Sequence, residues 1–243
     1  MVHEILSPRE GAQHMSEEMD KHFGLILDPD ELPDSEFLSL DRITLTTHTG
    51  THVDAPSHYG SRAAYGNGTP RNIDEMPLHW FFRPGVVLDV SGTGTGVIGA
   101  AELKEEFARI GYTPEPFDIV MLKTGASAWS GTPRYFTDFA GLDGPAVHLL
   151  LDLGVRVIGT DAFSLDAPFG HIIARYRETG DRAVLWPAHF AGREREYCQI
   201  ERLSNLGALP APHGFQVACF PVKIVGGGAG WARAVAMLDE QDR

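Results

Sequence analysis

One stretch of eleven residues, 48–58, limits what this chain can fold into more than any other. It has the sequence HTGTHVDAPSH and holds three histidines and one aspartate, together with threonine, valine, glycine and proline. This composition disfavours a helix, because β-branched residues, glycine and proline rank low in helix propensity. We therefore expect an extended segment, in which any metal ligands are not spaced by one helical turn.

Alternation brings the ligand-type side chains of this stretch to one side. Successive side chains of an extended chain point to opposite faces, so those of equal parity share a face. Four such side chains have the same parity: His48, His52, Asp54 and His58. In a straight strand the Cα atoms of His48 and His52 would lie about 13 Å apart, at roughly 3.3 Å per residue. Metal–ligand bonds are much shorter than this separation, so the two histidines can reach one ion only if the chain bends. We expect the bend at Gly50.

Imidazole and carboxylate groups are the usual protein ligands of zinc and manganese. A single histidine is more often a surface or core residue, but this run concentrates four ligand-type side chains on one face. The run therefore predicts a metal site within residues 48–54. A bound cation lowers the pKa of water toward roughly 7 and polarises a carbonyl group. His58 lies four residues beyond Asp54, within reach of a proton that such chemistry has to move.

Short apolar segments alternate with helix-like patterns along the rest of the chain. The spacing of Ile43, Leu45 and Thr47 predicts a half-buried strand within residues 37–47. Further strands are predicted at 86–90, 118–123, 155–159, 184–186, 199–200 and 217–224, helices at 102–110 and 145–153, and a strand or helix at 231–238. This alternation predicts an α/β fold built around one sheet.

The bulk properties exclude some classes of protein. The net charge is −13 and no cluster of lysine and arginine is present, so we expect no nucleic-acid partner. No apolar run approaches the length of a membrane span, and the N-terminus lacks an apolar signal core. The two cysteines, Cys198 and Cys219, form no C-x-x-C pair. These features predict a soluble, cytoplasmic protein.

The pattern H-x-G-T-H-x-D-x-P-x-H resembles the signature of the cyclase family of metal-dependent hydrolases, which includes bacterial kynurenine formamidase and isatin hydrolase. Weaker blocks of the same family follow in the family's order, at residues 122–125, 141–166, 201–206 and 221–236. The resemblance thus covers the chain from about residue 40 onward. It implies a swivelling β/β/α fold with a central mixed sheet, as one domain over residues 37–243.

The N-terminal residues depart from the family's usual opening strand, which often shapes the substrate pocket. Residues 1–36 are polar and acidic, and we interpret them as an arm with one short helix. Family members are usually dimers or tetramers. The resemblance therefore implies a homodimer or homotetramer, with the arm packing on a partner subunit.

The resemblance also implies a site, residue by residue. Five residues match the family's metal ligands: His48, His52, Asp54, His189 and Glu201. Asp54 would bridge two ions, with His189 and Glu201 completing the second position. Some members hold one manganese instead of two zincs, so one or two ions of Zn²⁺ or Mn²⁺ are expected. His58 matches the family's general base or acid.

The predicted reaction is hydrolysis of an amide, imide, lactam or lactone bond in a small cyclic or aromatic compound. Two alternatives stay open. The same site suits a cyclase or dehydratase acting on a natural-product intermediate, because Lewis acid and proton shuttle also serve ring closure. A non-catalytic small-molecule binder with a structural metal is the other alternative, since a structural zinc is closed by four protein ligands.

Two other motifs are assigned structural roles. Ser164 and His171 lie near two aspartates, but no G-x-S-x-G elbow is present, so no nucleophilic triad is predicted. Asp161 and Asp166 are interpreted as structural groups or as groups that orient metal ligands. The glycine-rich residues 226–230 lack the G-K-[ST] ending of a phosphate loop and predict a turn.

Overall fold

The structure is a computed structural model that describes residues 1–238 of the 243. The chain separates into two compact units, Met1–Thr46 and Thr47–Arg243. The boundary lies ten residues beyond the predicted end of the arm at residue 36. Residues 239–243, the end of the predicted 37–243 domain, lie outside the described residues.

The first unit contains one helix, α1, which spans Pro8–Phe23. It begins at Ser7, whose side chain accepts a hydrogen bond from the backbone N–H of Glu10, while the Glu10 carboxylate accepts one from the Ser7 backbone N–H. Such a reciprocal cap satisfies two donors that the first helical turn leaves open. The helix ends at Gly24, which adopts φ 63°, a left-handed conformation that favours glycine. The arm is thus more ordered than its polar composition predicts.

Two strands complete this unit. β1 (Val2–Leu6) pairs antiparallel with β2 (Leu40–Thr44). The strand predicted within residues 37–47 is therefore present, but all five of its residues are exposed instead of half-buried. Alternation in the sequence identifies a strand, but it does not identify what covers its apolar face.

The second unit holds four helices and ten strands in its described part. The helices are α2 (Ala100–Ile110), α3 (Gly144–Asp152), α4 (Phe169–Thr179) and α5 (Pro187–Glu194). The strands are β3 (His52–Asp54), β4 (Phe82–Asp89), β5 (Gly96–Ile98), β6 (Ile119–Lys123), β7 (Ala140–Leu142), β8 (Val157–Thr160), β9 (Cys198–Glu201), β10 (Phe215–Ala218), β11 (Ala229–Trp231) and β12 (Val235–Met237).

Eight of these strands form one mixed sheet, in the order β11-β3-β9-β8-β6-β4-β10-β12. The central strands β9, β8, β6 and β4 run parallel, and the outer strands pair antiparallel at both sides. Parallel neighbours need crossover connections, which helices such as α2 and α3 provide. The predicted α/β fold with a central mixed sheet is confirmed.

Alternate residues of the central strands enter two separate cores. Val86 and Leu88 of β4 belong to the core that also contains Leu103 of α2 and Leu150 of α3. Val87, between them, belongs to the opposite core. Successive side chains of a strand point to opposite faces of the sheet. When both faces are buried, the sequence of the strand is therefore a continuous run of apolar residues. This explains why the sequence predicts these strands well.

The strand predicted at 217–224 is shorter and begins earlier, at Phe215–Ala218, and the strand predicted at 184–186 is absent. Residues 184–186 instead form the end of a 3-10 turn (Arg182–Val184) and the residue that precedes helix α5. Pro187 is the first residue of α5, where its fixed φ and missing N–H suit a helix start. A three-residue apolar run is too short to distinguish a strand from such a junction.

Across residues 1–238, every helix falls short of the length and apolarity needed to cross a membrane.

Candidate metal centre

The site is built where β3 lies beside β9. Their antiparallel register places His52 opposite Glu201 and Asp54 opposite Gln199. All four side chains are buried. Val53 and Ile200 alternate with them and enter the core on the other face of the sheet. Two segments almost 150 residues apart in sequence thus contribute polar side chains to the same face.

His48 reaches this group through the bend predicted at Gly50. Gly50 adopts φ 69°, and the chain turns there before β3 begins. His48 is therefore not in the strand, but its Nδ1 lies 2.9 Å from Oδ1 of Asp54. The prediction of a bend is confirmed. It removes the separation of about 13 Å that a straight strand of roughly 3.3 Å per residue would impose.

Asp54 lies at the centre of two groups of potential ligands. His48, Asp54 and His58 bring donor atoms within 4.8 Å of one another, and so do His52, Asp54 and Glu201. Nε2 of His52 lies 3.3 Å from Oδ1 of Asp54 and 3.7 Å from Oε2 of Glu201. Asp54 is the one residue common to both donor groups and would contribute a carboxylate to an ion held by either.

Three buried polar atoms of this group lack hydrogen bonds in the described residues. Nε2 of His52 and both carboxylate oxygens of Asp54 have no hydrogen-bond partner within the described part of the chain. An unsatisfied buried polar group destabilises a protein by about 1–3 kcal/mol, more if it is charged. Converging donor atoms without hydrogen-bond geometry, on imidazole and carboxylate groups, fit a divalent cation.

The charges of the two buried carboxylates also favour a bound cation. Burial and the neighbouring Asp54 carboxylate raise the pKa of Glu201. Burial opposes ionisation of Asp54 as well, but its contacts with His48 and His52 outweigh burial and lower its pKa. Two carboxylates that are buried side by side repel each other. A cation between them would relieve that repulsion.

A backbone contact determines which ring nitrogen of His52 can bind a metal. Its Nδ1 lies 2.8 Å from the carbonyl oxygen of Gly50. A carbonyl oxygen only accepts hydrogen bonds, so Nδ1 carries the proton in the neutral ring and Nε2 presents its lone pair. Nε2 is the atom that faces Asp54 and Glu201. A backbone contact of this kind is typical of metal-binding histidines.

His189 is held at the start of α5 by Asp166. The buried Asp166 carboxylate accepts hydrogen bonds from the backbone N–H groups of Ala188 and His189, at 2.7 and 3.2 Å, and contacts Nδ1 of His189. Burial alone would lower the pKa of His189, but Asp166 outweighs it and raises the pKa to about 9. Nε2 of His189 lies 3.9 Å from Oε1 of Glu201. Asp166 therefore holds the ring of His189, a contact that fits the predicted orienting role.

Asp161 orients a loop instead of a ligand. Its carboxylate accepts hydrogen bonds from the backbone N–H groups of Thr124 and Gly125 and from the hydroxyl groups of Thr124 and Ser127. Of the two roles predicted for Asp161, structural support and orientation of a metal ligand, these contacts fit structural support. Both oxygens of its carboxylate accept hydrogen bonds from the turn that follows β6.

His58 lies in the 3-10 turn Pro56–Tyr59, with part of its side chain in solvent. Its ring centroid is 4.3 Å from that of His48 and 5.5 Å from that of His189. Loss of hydration lowers the pKa of His58 to about 4, with a smaller contribution from neighbouring imidazoles and an opposing one from Asp54. His58 is therefore neutral at pH 7 and able to accept a proton.

A cavity of about 360 Å³ opens beside these residues. Its walls are rich in aromatic side chains that the sequence analysis did not single out: Tyr59, Phe163, Phe169, Trp186 and Phe190. Arg193 and Arg202 complete the lining. These residues come from separate loops and helices, so no local spacing signals them. Trp80 and Phe81 are buried in a core away from this cavity, whereas the adjacent Phe82 is exposed.

Comparison with known proteins identifies a family and several relatives of the chain. Residues 9–167 match the sequence model of the Cyclase family, described as Putative cyclase. The kynurenine formamidase of Salinibacter ruber is 32% identical over 203 residues, which cover 83% of this chain and 81% of the relative. The kynurenine formamidase of Maricaulis maris is 30% identical over 198 residues, covering 82% and 80%.

Solved structures show the same fold. An isatin hydrolase bound to the product analogue thioisatinate superposes with a TM-score of 0.69 at 20% identity, covering 96% of this chain and 99% of that one. Isatin hydrolase A from Labrenzia aggregata, bound to benzyl benzoate, gives a TM-score of 0.69 at 24% identity, covering 98% and 94%. The family match spans well over half of the 243 residues, and a relative of at least 30% identity covers most of the chain. The chain therefore belongs to the Putative cyclase family.

Proposed function

We propose that this protein is a metal-dependent hydrolase that cleaves an amide-type C–N bond in a small aromatic compound. The observation that carries the proposal is the buried convergence of His52, Asp54 and Glu201 beside a cavity with aromatic walls, with Nε2 of His52 and both Asp54 oxygens lacking hydrogen-bond partners in the described chain. The relatives named as kynurenine formamidases and the fold shared with isatin hydrolases support it. Aryl formamides and lactams fused to an aromatic ring are the narrower substrate classes we propose.

Within this function five residues would hold the metal: His48, His52, Asp54, His189 and Glu201. Their imidazole and carboxylate atoms suit Zn²⁺ and Mn²⁺ equally. Asp54, shared by both donor groups, supports a centre of one or two ions. When bound, such a cation supplies Lewis acidity, which activates water and polarises a carbonyl group.

The other side chains bind, orient and transfer protons. The aromatic walls exclude water and stack on a flat substrate. Asp166 fixes the ring of His189. His58, neutral at pH 7 and facing the cavity, would accept a proton from the attacking water and return it to the leaving nitrogen. Water is consumed, the C–N bond breaks, and a carboxylic acid and an amine are released.

The test is product analysis on a panel of aryl formamides and aromatic lactams, with protein reconstituted with Zn²⁺ or Mn²⁺. The proposal requires release of amine and acid, abolished by a chelator and restored by metal. Incorporation of ¹⁸O from labelled water into the acid would confirm hydrolysis. Ring closure without uptake of label would instead identify a cyclase. Absence of turnover together with loss of folding on chelation would identify a binding protein with a structural metal.

We also propose a homodimer or homotetramer in which the N-terminal arm contacts a partner subunit. Within the first unit, several large apolar side chains are exposed, among them Ile5, Phe23 and Ile26. Exposed apolar surface of this kind marks interaction sites in many proteins. Light scattering on the full chain and on an Ile5→Ser/Ile26→Ser variant tests this: the variant should dissociate. A full chain that is monomeric would contradict the proposal.

A cytoplasmic location remains part of the proposal. Cys198 and Cys219 are both buried and unpaired, which suits a reducing compartment.

A further inference from the structure

Arg202 follows the proposed ligand Glu201 directly, and its side chain lines the site cavity. It is half-buried, yet no carboxylate of the described chain lies within ion-pair distance of it. Other arginines behave differently: Arg71 pairs with Glu196 and Arg109 with Glu106, both at 2.7 Å. Charged groups that are removed from water are normally paired. An unpaired guanidinium in a cavity wall is therefore available to an anionic ligand.

The guanidinium of Arg202 is held in place. Its Nη1 donates a hydrogen bond of 2.6 Å to the carbonyl oxygen of His48. Its carbon lies 4.3 Å from the centroid of the Phe163 ring, which is another wall of the cavity. The Thr51 hydroxyl donates to the backbone oxygen of Arg202 at 2.6 Å. Nε also donates to the carbonyl oxygen of Phe163 at 3.5 Å, so the guanidinium is fixed and three of its five N–H donors remain for a ligand.

The backbone of Arg202 is strained. It adopts φ 61°, in the left-handed region that favours glycine. Trp186, another wall of the same cavity, also has positive φ, at 49°. Residues held in such conformations cluster at functional sites, where the side chain is required. A glycine at position 202 would adopt this turn with less strain, so an arginine there indicates a use for its guanidinium.

We propose that Arg202 is a specificity-determining residue that binds a carboxylate group of the aromatic substrate. The inference rests on the proposed function, because it assigns the substrate class of the same site. The planar guanidinium matches a carboxylate with two parallel hydrogen bonds, and partial burial strengthens that attraction. Arg193, over the Phe190 ring at 4.0 Å, adds positive charge at the exposed side of the cavity. A small aromatic compound with an acidic substituent therefore fits the cavity better than a neutral one.

Binding of two product-like probes tests this without turnover. Titration calorimetry on the metal-loaded protein compares 2-aminobenzoate with 2-aminobenzamide, which differ in charge but little in shape. The variants are Arg202→Asn, since asparagine tolerates the left-handed conformation, and Arg109→Asn as a surface control. Charge-assisted hydrogen bonds contribute enough that Arg202→Asn should weaken 2-aminobenzoate binding roughly 10- to 100-fold. Binding of 2-aminobenzamide, and both affinities of Arg109→Asn, should stay at the wild-type level.

Three results would overturn the inference. Equal weakening of both probes in Arg202→Asn would show that Arg202 only positions His48. A preference for 2-aminobenzoate that survives in Arg202→Asn would show that the carboxylate binds the metal instead. Wild-type protein that binds the two probes equally, or binds neither, would show that no carboxylate site exists.

Turnover separates this inference from the proposed function. Hydrolysis of 2-formamidobenzoate and 2-formamidobenzamide adds one water, breaks the formyl C–N bond and releases formate with the corresponding amine. In Arg202→Asn, the inference predicts a higher KM for 2-formamidobenzoate and an unchanged KM for 2-formamidobenzamide. If wild type hydrolyses neither compound but still binds 2-aminobenzoate through Arg202, the proposed function fails and the inference stands. If wild type hydrolyses both and Arg202→Asn changes neither KM selectively, the inference fails and the function stands.

Discussion

His52 lies directly opposite Glu201 in the antiparallel pair of β3 and β9, with 3.7 Å between Nε2 and Oε2. The strand register, not proximity in sequence, brings these two groups together. A shift of one residue would turn one of them into the opposite core. The candidate metal centre is thus as well defined as the pairing of these two strands.

Replacing His58 by alanine separates proton transfer from metal binding. Because His58 is a potential third member of the donor group around Asp54 but lies partly in solvent, we assign it to proton transfer. His58→Ala should keep its metal content and lose roughly 10²- to 10⁴-fold in kcat, as expected for removal of a general base. Elemental analysis measures the metal content, and steady-state kinetics measures kcat. Loss of an ion in His58→Ala would reassign the residue as a ligand.

Replacing Asp166 by asparagine tests the orientation of His189. The amide is nearly the same size but lacks the charge that contacts Nδ1 of His189 and accepts from two backbone N–H groups. Outer partners of metal-binding histidines typically contribute 10- to 100-fold in metal affinity, so we expect a loss of about that size. Metal titration with a competing chelator measures it. Unchanged affinity would show that His189 is no ligand.

A methyl group at Gly141 should disturb the same region through packing. A Cβ there would lie 2.1 Å from the backbone carbon of Asp166, closer than real contacts allow. Gly141→Ala should therefore lower the free energy of unfolding by about 1–3 kcal/mol or more, as overpacking does. Gly170→Ala is the matched control, since nothing lies within 4 Å of a Cβ in helix α4. Denaturant unfolding compares them; equal stability of the two variants would contradict the packing described.

The cysteines should be inert in the folded protein. Burial raises the pKa of Cys219 to about 12 and that of Cys198 well above its usual value. At pH 8 a thiol reagent should modify neither in the native state and both after unfolding. The folded protein holds these protons more tightly than the unfolded chain, so the contribution to stability is complete below pH 9 and is lost as pH rises toward 12. Rapid labelling of native protein at pH 8 would contradict the burial of both thiols.

The sequence predicts the central sheet and part of the site because both depend on local patterns. The runs around Val86 and Val120 are buried on both faces, and residues 48–58 concentrate ligand-type groups in one segment. The bend at Gly50 follows from the geometry of that segment alone. His189 and Glu201 come from the family resemblance, since nothing near them in sequence distinguishes them from ordinary polar residues.

Other features depend on tertiary arrangement and leave no local signal. Arg202 and Trp186 line the cavity from separate loops, and both adopt backbone conformations that their residue types disfavour. Asp161 and Asp166 look alike in sequence, but only Asp166 lies beside the start of α5, where it contacts His189. A single sequence cannot separate two such aspartates, because their roles are set by which element each one faces.

Metal content per chain is the measurement that tests the central claim most directly. Elemental analysis would compare wild type, His52→Ala, Glu201→Gln and a control, His148→Ala, whose histidine pairs with Glu194 away from the site. After reconstitution with Zn²⁺ or Mn²⁺, wild type and His148→Ala should hold the same one or two ions. His52→Ala should lose metal, and a binuclear centre should fall to one ion in Glu201→Gln. Wild type that binds neither metal, or His52→Ala that keeps its full content, would contradict the account.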